Sequence, residues 1–112
     1  MKDYLYIIRG GEDMNDFSAD QMQQHLQEWQ KWMGGLAQQG KFVAGEPLED
    51  EGKSLVDKGA KVIDRPMAEA KELVAGYLIM KAETLDDAVD LARGCPGLEH
   101  DCTIEVREIK GM

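Results

Sequence analysis

Cysteine, proline and positive charge are all scarce in this 112-residue chain, which has two cysteines and three prolines. Two cysteines are too few for a disulfide framework. Cys95 and Cys102 could bridge across the six residues between them, but two thiols in a chain without an export signal read as reduced. Cys95, His100 and Cys102 do not reach four ligands at a recognisable zinc spacing, so no metal is expected, and no cofactor either. Basic residues number 13 against 22 acidic ones, a net charge of −9. That balance repels phosphate backbones and anionic lipid, so neither nucleic acid nor a membrane surface is expected as a partner. No apolar run approaches the ~18 residues of a membrane span. The opening Met1–Ile8 is too short and too alternating for a signal peptide, and a cytoplasmic location is expected. Also missing are a glycine-rich phosphate loop, a nucleophile elbow and a metal-ligand helix motif, which argues against nucleotide-dependent and hydrolase chemistry.

What is present reads as one domain over residues 1–112. Tyr4, Tyr6 and Ile8 alternate with Leu5 and Ile7, a first strand apolar on both faces, broken by Gly10-Gly11. Ser18 and Gln21 form a capping box for a helix from Ala19 to Gln39. Met22, Leu26, Trp29, Met33 and Leu36 build its apolar stripe, widened by Trp32, and Gly40 caps its end. Phe42–Gly45 reads as a short strand. Ser54–Val56 and Lys61–Ile63 flank Asp57-Lys58-Gly59, a hairpin turn in which Gly59 takes positive φ. Leu73–Met80 is an unalternating apolar run, read as a central strand buried on both faces. Thr84 caps a second helix with Asp86 and Asp87 in its first turn, and Gly94 and Pro96 end it. The last strand is Thr103–Ile109, with Ile104 and Val106 on one face.

The order β-α-β-(β-β)-β-α-β is that of an α+β, ferredoxin-like βαββαβ fold with an inserted β-hairpin. Two helices shelter one face of such a sheet, yet two of its strands are apolar on both. A twofold copy of the same sheet is the simplest cover, so a homodimer is expected.

Several segments resemble the YCII-related family, and within it the branch named after an Asp-Gly-Pro-Phe motif. They are Trp29-x-x-Trp32-Met33, Ala44-Gly45-Glu46-Pro47-Leu48, Gly76-Tyr77, Ile104–Arg107 and above all Asp64–Glu72. The last keeps Asp64, Pro66, Glu69, Lys71 and Glu72 of the family pattern, with Arg65 at its glycine and Met67 at its phenylalanine. The resemblance implies a dimeric α/β barrel, two ferredoxin-like sheets face to face. It also implies an enzymatic role, suggested for related members from a His–Asp pair in the cleft, and some relatives are joined to extracytoplasmic sigma factors. Counted back from Gly40, that histidine position falls on Trp29, and His25 stands one turn earlier.

Two functional readings stay open. In the first, a small-molecule enzyme (a lyase, an isomerase or a cofactor-free oxygenase) uses Asp64, Lys71 and His25 as catalytic groups. Arg65 and Glu69 then hold a ligand, with Trp29 and Tyr77 lining its pocket. In the second, the chain is a non-catalytic ligand-binding or regulatory module linked to sigma-factor signalling. The plain structural reading makes Asp64–Glu72 a capped, solvated turn in which Asp64 accepts backbone amides. It makes His25 a surface helical residue, His100 a solvated loop residue, and the aromatics core or dimer interface.

Overall fold

The alternation in the first strand sets the layers of the molecule. The computed structural model describes residues 1–11, 16–67 and 72–111. In β1 (Lys2–Gly10), Tyr4, Tyr6 and Ile8 are buried while Leu5 and Ile7 are half-buried. The helices lie on the Tyr4/Tyr6/Ile8 side, and the other side of the sheet is open.

The remaining elements follow the sequence closely. The helix α1 spans Ala19–Gln38 and carries the full capping box, with Gln21 N donating to Ser18 Oγ and Ser18 N donating to Gln21 Oε1. Gly34 and Gly35 do not interrupt it. It ends where Gly40 turns to φ 72, which lets Lys41 N reach Leu36 O at 2.9 Å. Next come β2 (Phe42–Pro47), β3 (Ser54–Val56), β4 (Lys61–Ile63), β5 (Val74–Ala82), α2 (Leu85–Ala92) and β6 (Cys102–Glu108). Asp57, Lys58 and Gly59 all take positive φ in the β3–β4 turn. A 3-10 helix over Pro96–His100, absent from the sequence reading, links α2 to β6.

The main sheet runs β2-β5-β1-β6, antiparallel throughout, and the β3–β4 hairpin is a separate two-stranded ribbon. With the hairpin set aside, this is the ferredoxin-like arrangement. The core joins the inward residues of β1 to Leu78, Met80 and Ala82 of β5, Leu36 of α1, and Ala88 and Ala92 of α2. Tyr6 donates its hydroxyl to Ala88 O at 2.5 Å, tying sheet to helix. Gly45 in β2 permits the close approach to β5, since a Cβ there would stand 2.3 Å from Leu78 Cδ2.

The expectation that β5 is buried on both faces needs correction for the single chain. Its burial alternates, with Tyr77 and Ile79 half-buried on the open side. There they stand opposite Ile7 and Leu5 of β1. A second correction concerns α1. Leu26, placed in its stripe by sequence, is 53% exposed, and His25 is turned inward at 5%. No described helix is long and apolar enough to cross a membrane.

Candidate functional site

His25 points inward because it shares a helical face with Trp29, Trp32 and Leu36, at intervals of four, three and four. Trp29 Nε1 donates to His25 Nε2 at 3.0 Å. An indole N–H is only a donor, so Nε2 must offer a lone pair, and a neutral ring then carries its proton on Nδ1. His25 is therefore a buried imidazole held by its neighbour one turn on, not the surface residue the sequence suggested.

A second imidazole meets it from 75 positions down the chain. His100 ends the 3-10 helix Pro96–His100, where Asp101 at φ 66 turns the backbone into β6. Its ring lies edge-on to His25 with centroids 4.8 Å apart. Phe17, just before the α1 cap, packs on both rings at 5.8 and 5.4 Å. Glu28 lies half-buried one turn past His25 and takes a hydrogen bond from Gln24 Nε2 at 3.4 Å. Donor atoms of His25, Glu28 and His100 all fall within 4.8 Å of one another. The 3-10 helix can approach so closely because Gly97 has no side chain; a Cβ there would stand 3.3 Å from Trp29 Cζ2 and 3.2 Å from Cys102 Sγ. His100 is thus half-buried in a cluster rather than solvated.

The other sequence-predicted residues go elsewhere. Asp64 and Arg65 follow β4 at the exit of the hairpin, and both are exposed. Lys53 Nζ pairs with Asp64 Oδ1 at 3.3 Å, where the sequence suggested a carboxylate accepting backbone amides. Arg65 Nη1 donates to Pro66 O at 3.3 Å, and Arg65 O accepts from Ser54 Oγ at 2.8 Å. Tyr77 sits on the open face of β5, opposite Ile7 and Glu46. Glu69 and Lys71 lie outside the described residues. Among the described residues of the proposed set, the structure unites only His25 and Trp29. Pro66 and Met67 do border a crevice of about 420 Å³, together with Arg9, Leu48, Leu73 and Val74. Arg9 spans its edge, with Nη1 donating to Glu72 O at 3.0 Å and Nη2 3.6 Å from Glu105.

The sequence sets Glu28 one turn from His25 on the same helix, but it does not bring His100 or Phe17 to either. The signal for His25 lay in the helical spacing: position 25 extends the 29-32-36 face as well as Leu26 extends the Met22 one. Nothing local announces His100, whose place depends on a 3-10 helix with no periodic pattern.

Comparison with known proteins adds the following. No curated protein sequence matches. Among solved structures, the fold is similar to that of 5-chloro-2-hydroxyhydroquinone dehydrochlorinase (TftG) from Burkholderia phenoliruptrix AC1100, solved in complex with 2,5-dihydroxybenzoquinone. The TM-score is 0.56 at 18% identity, over 96% of this chain and 93% of that one. The model of the YCII-related domain matches residues 3–112. On that match, which spans all but the first two residues, the chain belongs to the YCII-related family.

Proposed function

We propose that this chain is a small-molecule enzyme whose chemistry is centred on the His25–Glu28–His100 cluster. The observation that carries the reading is the buried imidazole of His25 set against a second imidazole. A leucine at position 25 would fill the space between α1, Phe17 and the 3-10 helix without the cost of burying a polar ring. Two imidazoles and a carboxylate within 4.8 Å of one another can hand protons to and from a bound molecule, which suits general acid–base work. His100, the less buried ring, is the group that meets the substrate, and His25 backs it.

The substrate class we favour is a flat, oxygenated ring. Phe17 and Trp29 supply aromatic walls beside the cluster. The fold neighbour named for its action on a chlorinated hydroxyhydroquinone holds a dihydroxybenzoquinone in its complex. The test is a thermal-shift and ultraviolet–visible screen of hydroxyquinones and hydroxyhydroquinones against the protein and its His100→Asn variant. The expected result is a ligand-dependent rise in Tm and a slow spectral change, both lost in a variant that melts like the parent. Binding without turnover would leave a ligand-binding module, and no ligand shift at all would remove the site. We further propose that a second copy of the chain covers the open sheet face.

A further inference from the structure

The groups at the centre of this cluster are also a metal donor set. Two imidazoles and one carboxylate are the protein ligands of centres that keep positions open for water or substrate. His25 and Glu28 are three residues apart on α1, so their side chains leave the helix on neighbouring lines. His100 approaches from the 3-10 helix, and the largest separation among the three donor atoms is 4.8 Å. Ligands about 2.1 Å from one tetrahedral ion stand about 3.4 Å apart. The cluster must therefore close by roughly 1–1.5 Å, within the reach of side-chain rotation alone.

Trp29 keeps one donor ready. A metal takes an unprotonated nitrogen, and the indole N–H holds His25 Nε2 in that state. An ion bound at Nε2 would displace this hydrogen bond and release the Trp29 indole N–H, and the ring proton would stay on the buried Nδ1. Phe17 gives the cluster one apolar wall, and the net charge of −9 draws cations rather than anions.

We infer that His25, Glu28 and His100 bind one divalent transition-metal ion, zinc being the best match to two nitrogens and one oxygen. A fourth position is left for water or for an oxygen of the ring substrate, and in the loaded protein that position, not the His100 ring, would meet the substrate. Binding of the ion stands without the enzyme reading; only the ring oxygen rests on it.

The test strips the full chain with a chelator and titrates it with zinc or cobalt(II) at pH 7.5. The expected result is one equivalent bound, a change in tryptophan fluorescence as Trp29 loses its acceptor, and visible bands of low-coordinate cobalt. Glu28→Gln and His100→Gln should each weaken zinc at least tenfold while melting like the parent, and Cys102→Ser should bind as the parent does. No saturable equivalent, equal affinity in both ligand variants, or loss of binding in Cys102→Ser would overturn the site. Failure of the two readings is separable. Ring turnover equal in stripped and loaded protein removes the metal's place in the reaction and leaves the enzyme. Tight zinc with no ring compound bound does the reverse.

Discussion

Cys95 and Tyr6 are nearly closed off from solvent, at 2% and 0% exposed. Burial pushes the Cys95 thiol up to about 11 from 9.0, and the Tyr6 phenol up to about 12 from 10.0. Both groups are neutral when protonated, and folding favours the protonated form. The stability they confer is therefore fully present below pH 9 and is lost as pH rises through 11 and 12. Thermal melts should be flat from pH 7 to 9 and fall steeply above. Tyr6→Phe removes one of the two groups and the hydrogen bond to Ala88 O. It should cost about 1 kcal/mol at pH 7 and show a shallower alkaline decline; parallel curves for the two proteins would refute the assignment. At this scale the sequence is least legible. Alternation in β1 reveals that Tyr6 is buried. It cannot reveal that His25 displaces Leu26 inward, because a histidine on a helix carries no strong preference for either side.

Elements are more legible because their determinants are local. The capping box of α1, its Gly40 terminus, the Thr84 cap of α2 and the Gly59 turn all depend on residues within a few positions. Each is found where those residues place it. The 3-10 helix Pro96–His100 had no such signature, and with it the position of His100 was lost. Gly34 and Gly35 each cost a helix about 1 kcal/mol relative to alanine, yet α1 runs straight through them. Nothing lies within 4 Å of a Cβ built on Gly34, and its backbone is helical. The glycine therefore has no packing or conformational reason visible in the single chain. Gly34→Ala should stabilise the protein by about 0.5–1 kcal/mol, by lowering the entropy of the unfolded chain. A denaturant titration reads this directly, and a destabilised variant would mean that another surface packs against the helix at this point.

The whole molecule is a slab of 45 × 44 × 18 Å with a radius of gyration of 15.6 Å. A compact domain of this length has a radius near 13 Å by the usual scaling. Two features go with the excess: a hairpin that, among the described residues, pairs only with itself, and a sheet covered on one side. In the hairpin, Leu55 and Val62 are directly paired and 67% and 58% exposed. On the open face, Leu5, Ile7, Tyr77 and Ile79 form an apolar centre with Glu105 and Arg107 of β6 at its side. Topology was readable from element order, because two helical crossovers in a β-α-β-β-α-β order, each right-handed and uncrossed, leave few alternatives. The cover of this face was argued from composition, and a single chain cannot supply it. A second copy would bring the same apolar strip to the same strip, an isologous contact with the polar β6 edge left wet. Light scattering at micromolar concentration should then give twice the 12.5 kDa chain mass. Ile7→Lys, placing a charge in the strip but outside the Tyr4/Tyr6/Ile8 core, should halve that mass while far-ultraviolet circular dichroism stays unchanged. A parent chain that scatters as a monomer would leave the strip wet and remove the barrel. A dimer undisturbed by Ile7→Lys would move the interface to the hairpin.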